Sequence, residues 1–147
     1  MYWTDAGTDR IEKASMDGSS RTILHSTGLS NSVGLTLDYQ TQTLYWVEHQ
    51  YYNSRIERSS VNGSNRETIL QSGLYYPWAV TYYNGSLYMT ERYYWYRRIS
   101  SVSVTPPITI NPIVPSLGNY PYGIQVISEE DSQQVIKHNV MHQTSLE

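Results

Sequence analysis

Apolar residues in this chain come in short runs separated by turn residues, and no long stretch follows the 3.6-residue period of a helix. Between residues 78 and 113 the runs predict four strands, at 78–83, 86–91, 97–104 and 107–113. Asn84-Gly85 supplies a tight hairpin turn between the first two. The same set of runs occurs earlier in the chain. Tyr2-Trp3-Thr4-Asp5 returns as Tyr45-Trp46-Val47-Glu48 and again as Tyr88-Met89-Thr90-Glu91, with a spacing of 43 residues both times. Arg10-Ile11-Glu12 matches Arg55-Ile56-Glu57 and, more loosely, Arg98-Ile99-Ser100. The turn Asp17-Gly18-Ser19 matches Asn62-Gly63-Ser64. Val33-Gly34-Leu35 recurs as Trp78-Ala79-Val80 and as Tyr122-Gly123-Ile124.

Four short antiparallel strands in each period of 40–45 residues are the pattern of a β-propeller blade. The fold class is therefore all-β, a propeller of four-stranded antiparallel blades. Gly34, Ala79 and Gly123 fall early in the first strand of each copy, where innermost strands crowd around an axis and small side chains are needed. Residues 33–70 and 78–113 form complete blades. Residues 2–25 lack a first strand, and 122–127 reads as a lone first strand.

These motifs resemble the low-density-lipoprotein-receptor class B repeat, also called the YWTD repeat. The resemblance runs from Tyr2 to about Ser128 and assigns residues 1–128 to three repeats, starting near 2, 45 and 88. It implies a six-bladed ring in receptor or matrix proteins, of which this chain looks like the carboxyl-terminal half, three blades long. Residues 129–147 are polar and aperiodic and read as a tail, at most with a short strand and in part vector-derived. Six such repeats need about 260 residues. A half ring leaves two blade faces and two strand edges open. A homodimer closing a six-bladed ring, in which 122–127 of one copy completes the 2–25 blade of the other, resolves this.

Composition narrows the function. Ten Lys and Arg stand against 13 Asp and Glu, a net charge of −3, which argues against nucleic acid or an anionic membrane surface as the main partner. No apolar run approaches the roughly 18–20 residues of a membrane helix, so no direct membrane insertion is expected. There is no Cys, and 15 Tyr and four Trp accompany no Phe. Many of these aromatics fall in loops at one end of the blades. His49-Gln50-Tyr51-Tyr52 and Arg92-Tyr93-Tyr94-Trp95 follow two of the YWTD-like strands, and Tyr75-Tyr76-Pro77-Trp78 and Asn119-Tyr120-Pro121-Tyr122 precede first strands. Aromatic loops with Arg at their margin suit a protein interface. The candidate ligand-binding residues are Tyr51, Tyr52, Tyr75, Trp78, Arg92, Tyr93, Tyr94 and Trp95, whereas Trp3, Trp46, Tyr45 and Tyr88 read as core.

The partner this predicts is a protein ligand, and the resemblance sets it in an extracellular or cell-surface setting. Asp5, Glu48 and Glu91 end equivalent strands and read either as a carboxylate ring at the channel mouth or as hydrogen-bond acceptors that tie blades together. Of the four His, His49 alone lies on the candidate face; His25, His138 and His142 do not, and any of them offers a titratable group near neutral pH. Asn62-Gly63-Ser64 and Asn84-Gly85-Ser86 are glycosylation sequons on turns. The rival function is a lactonase-like propeller hydrolase with a metal in the central channel, which needs carboxylates converging from first strands. Those strands offer only Asp38, at a strand end, so no enzyme, cofactor or metal site is expected.

Overall fold

The computed structural model describes residues 1–127; the predicted tail at 129–147, with His138 and His142, lies outside the described residues. Eleven strands form three antiparallel sheets among the described residues, and none of those residues is helical. The middle blade holds β4 (Ser32–Asp38), β5 (Thr43–Glu48), β6 (Arg55–Ser60) and β7 (Glu67–Leu70), in that order from one edge to the other. The third blade holds β8 (Pro77–Tyr83), β9 (Ser86–Tyr93), β10 (Tyr96–Ser103) and β11 (Ile110–Val114). The first has three strands, β1 (Tyr2–Asp5), β2 (Arg10–Lys13) and β3 (Thr22–His25). Each is a simple meander, because each connection is short enough to be a hairpin.

The blades stack through their sheet faces. Tyr45 and Val47 of β5 share a core with Val80, Leu87, Met89 and Val102 of the third blade. Trp46, on the opposite face of the same strand, lies 5.2 Å from the His25 ring of the first blade. Both faces of the middle blade are thus covered, which is why Leu44, Tyr45, Trp46 and Val47 are all buried. Tyr45 and Tyr82 stack between blades with ring centroids 5.6 Å apart. Thr36 Oγ1 accepts the Tyr82 amide at 3.0 Å, joining β4 to β8.

The crowding expected at the first strands is present at Gly34 but not at Gly123, which has no atom within 4 Å of a built Cβ because 122–127 pairs with no strand among the described residues. A Cβ built on Gly34 would lie 2.8 Å from the Trp78 carbonyl oxygen and 3.0 Å from the Val80 nitrogen. Asn84 and Gly85 both have positive φ, 44° and 77°, as the predicted hairpin turn requires.

Three expectations need correction. The segment 122–127 is in no strand. A first strand exists only by pairing with a YWTD-type strand, and 122–127 has none beside it among the described residues. The fourth strand of the third blade begins at Ile110, not 107, because the prolines before it have no N–H to donate and Ser103 Oγ holds the turn through Thr105. Trp3 and Tyr88 are half-buried, not core, since the faces they occupy have no neighbouring blade among the described residues. Pro112 does sit on an edge strand, as its lack of a donor demands.

Candidate functional site

The carboxylates that end the YWTD-type strands build the candidate face from beneath. Glu48 is fully buried and accepts the Ser30 amide at 2.6 Å, the Ser32 hydroxyl at 2.6 Å and the Trp46 indole N–H at 2.8 Å. Glu91 does the same one blade later, accepting the Tyr75 amide at 2.6 Å, the Ser100 hydroxyl at 2.6 Å and Arg98 Nε at 2.8 Å. Each therefore pins the loop that enters the first strand of its own blade. Asp5 accepts the amides of Gly7 and Thr8 in its own turn. The reading of Glu48 and Glu91 as an exposed ring at a channel mouth is overturned, because both are buried and saturated with donors. They act as acceptors, and they tie loops within a blade, not one blade to the next.

The pinned loop carries Tyr76, whose backbone adopts the left-handed conformation at φ 54°, as Asn31 does at the equivalent position at φ 59°. A bulky residue resists that conformation. The Arg92 amide donates to the Tyr76 carbonyl at 3.0 Å, matching the bond from His49 to Asn31. Tyr76 is held in place to carry its ring into a cluster. Its centroid lies 5.4 Å from Tyr51, 5.4 Å from Tyr93 and 4.6 Å from His49. Tyr51 contacts Tyr52 at 4.2 Å, Tyr93 contacts Tyr75 at 6.3 Å, and Tyr93 contacts Tyr94 at 6.2 Å.

The predicted Tyr51, Tyr52, Tyr75, Tyr93 and Tyr94 thus form one surface that crosses from the middle blade to the third. Tyr52 and Tyr94 are its most exposed members, at 89% and 69%. Trp78 and Arg92 belong to an adjoining stack, with the Arg92 guanidinium 4.3 Å above the Trp78 ring and 4.0 Å from the Tyr122 ring. Trp95 is 86% exposed at the β9–β10 hairpin tip and lines a separate cavity of about 270 Å³ with Tyr94, Arg97, Ser116 and Leu117.

Electrostatics on this face follow from burial at His49 and Tyr76 and from hydrogen bonding at Tyr52 and Tyr93. Burial lowers the His49 pKa; its bond to the Pro77 carbonyl, Nδ1 to O 3.2 Å, opposes this, and the Arg92 charge reinforces it. Hydrogen bonding to Tyr51 is the main cause that raises the Tyr52 and Tyr93 hydroxyls, and burial is what raises Tyr76. Sequence reasoning did not single out Tyr76, Tyr120 or Tyr122. The signal available was their place in loops that precede first strands; the left-handed Tyr76 backbone has no mark in the sequence. No group of three His, Cys, Asp or Glu with metal-binding geometry occurs among the described residues. No described helix is long and apolar enough to cross a membrane.

Successive four-stranded meanders, packed face to face with small residues where first strands meet, define part of a β-propeller. The family model described as low-density lipoprotein receptor repeat class B matches residues 1–39, and the motifs near 45 and 88 repeat that pattern. Low-density lipoprotein receptor-related protein 5 of Mus musculus is 36% identical over 94 residues, which are 63% of this chain and 6% of that protein. A chain of the crystal structure of a nidogen/laminin complex superposes with a TM-score of 0.53 at 27% identity, over 83% of this chain and 62% of that one. A gluconolactonase from Xanthomonas campestris superposes with a TM-score of 0.58 over 78% of this chain and 36% of that one. Its identity is 13%, so the likeness is one of fold alone. The chain therefore spans a small fraction of the receptor-related protein and well under the full length of either structural neighbour.

Proposed function

We propose that this chain is a non-enzymatic, extracellular protein-binding module whose protein ligand rests on the aromatic face formed by Tyr51, Tyr52, Tyr75, Tyr76, Tyr93 and Tyr94. The observation that carries this reading is the continuous, partly exposed cluster of Tyr rings crossing two blades. Rigid aromatic groups clustered on a surface supply large contact area at small entropic cost. The relatives support it: one is a receptor-related protein and one was solved in a complex with laminin. A panel of secreted proteins, laminin fragments included, tested by surface plasmon resonance should give a binder that Tyr52→Ala with Tyr94→Ala weakens at least about tenfold. A binder indifferent to this pair would refute the site, and turnover of gluconolactone by the chain would refute the non-enzymatic reading.

The chain is also proposed to close a six-bladed ring with a second copy. Among the described residues, support comes from the open edge of β1, from the segment 122–127 that joins no strand, and from half-buried Trp3 and Tyr88. Tyr122 rests against Arg92 as Trp78 rests against His49, so the chain enters 122–127 with the contact that precedes β8, which supports pairing of that segment with a second copy. Light scattering should give twice the chain mass; a monomeric mass at all concentrations ends this proposal.

A further inference from the structure

The ion pairs among the described residues engage Arg21, Arg55, Arg58, Arg66 and Arg98. Arg92 and Arg97 are in none of them. These two face each other directly across the β9–β10 ladder. Like charges directly opposite on one sheet repel. The Nε atoms of both are buried with no hydrogen-bond partner among the described residues. Arg97 satisfies its outer nitrogens on the carbonyls of Gly118, at 2.9 Å, and Tyr94, at 3.3 Å. The Arg92 side chain makes no hydrogen bond among the described residues. It is held by rings alone: Trp78, Tyr122 and, at 5.6 Å, Tyr120, which also carries Arg97 at 4.3 Å. Stacking recovers only part of what two neighbouring unneutralised cations lose on partial burial.

Beside Arg92 lies a cavity of about 230 Å³ lined by Tyr76, Arg92, Tyr93, Tyr94 and Tyr120. It is smaller than the roughly 300–1,000 Å³ of a small-molecule site, which suits one inserted side chain. Its walls are rings with hydroxyl tips, and its charge is that of a guanidinium held against the Trp78 and Tyr122 rings. A carboxylate matches that group in shape and sign. The net charge of −3 disfavours a long polyanion, which would meet repulsion away from this spot.

Resting on the protein-binding reading above, we propose that this pocket is a carboxylate subsite: Arg92, with Arg97 beside it, receives an Asp or Glu side chain of the protein ligand. The Tyr cluster supplies apolar contact, and the Arg pair selects a ligand with an acidic residue at one position.

The test is a random peptide library displayed on phage and selected on the full chain. Peptides competing with one another for this face should share Asp or Glu at a fixed position. Replacing that residue by Asn or Gln in a synthetic peptide should weaken binding at least about tenfold, and Arg92→Gln in the protein should do the same. With both changes together, the second should add little. The peptide substitution leaves the protein untouched, so a folding defect in Arg92→Gln does not block the reading. Peptides that bind the Tyr cluster without an acidic residue overturn this proposal and leave the binding face standing; peptides that map away from the face overturn both. A heparin oligosaccharide binding where acidic peptides do not makes the pocket a sulfate site and overturns the carboxylate assignment. An acidic preference that emerges only after Glu129, Glu130 and Asp131 are neutralised shows an intramolecular occupant and likewise overturns it.

Discussion

The middle blade and the first blade are built from nearly the same residues and end in different environments. Trp46 and Trp3 occupy one repeat position, yet Trp46 is fully buried while Trp3 is half-exposed. Tyr45 and Tyr88 differ in the same way on the opposite face. Glu57 and Glu12 are also equivalent. Glu57 is gripped by both Arg55 and Arg66, and Arg66 continues to the carbonyls of Thr27 and Gly28 in the linker between blades. Glu12 has Arg21 alone, and Arg21 is 61% exposed. The repeat dictates the blade, whereas the neighbour dictates how much each residue contributes. That is the nearest-neighbour behaviour of quasi-one-dimensional arrays.

The sharpest way to break this comparison is to truncate both tryptophans. Trp46→Ala should cost about 3–5 kcal/mol in urea unfolding, as for a large aromatic removed from a closed core. Trp3→Ala should cost well under half of that, and equal losses would show that Trp3 is covered in solution. Next comes Glu57→Gln, which leaves Arg55 and Arg66 without their shared carboxylate and should cost about 3 kcal/mol. Glu12→Gln should cost clearly less in the same assay, since water solvates Arg21.

Gly34→Ala probes the junction directly. The added methyl meets backbone on β8, which cannot rotate away as a side chain can, and should destabilise by about 1–3 kcal/mol. Gly118→Ala, in open space, should change stability little.

The smallest expected effect is a pH dependence at the junction of the first two blades. His25 is buried beside Trp46, Ser59 and Arg66, and burial first, then Arg66, lowers its pKa below the ordinary 6.5, with Glu57 opposing. The unfolded chain thus takes up its proton before the folded chain does. The contribution of His25 is full above pH 6.5 and declines as pH falls from there towards its folded-state pKa. Burial pushes the Glu57 pKa up, but hydrogen bonds from Arg66 and Arg55 outweigh it and hold the carboxyl below 4.5. Its contribution is therefore lost only in more acid solution. His49, also lowered, adds to the decline at the next junction. Melting temperatures measured from pH 7.5 downward should fall, and His25→Gln should flatten part of that slope.

The blades were legible because the evidence for them is local: the 43-residue spacing, the Asn84-Gly85 turn and the small residues at 34 and 79 each report a nearby constraint. The candidate face was legible in part, since loops rich in Tyr stand out against strands. Pairing across the chain was not. The Glu57–Arg66 and Glu48–Ser30 contacts join residues whose proximity depends on loop paths. Tyr122–Ile127 carries a strand-like sequence, but a strand is a property of two segments and only one is described. In the third repeat Ser100 stands where Glu12 and Glu57 stand in the others, so Arg98 turns to Glu91 instead. That exchange left the repeat recognisable while rewiring its charges.

The bare Cα of Gly34, seated against its neighbour's backbone, also bears on how a propeller can change size. A unit gained by tandem duplication must arrive with its own diminutive residue at the hub, or the spokes cannot converge. Insertions that respect whole repeats carry that residue with them automatically, so the architecture admits growth in full modules and resists growth by pieces.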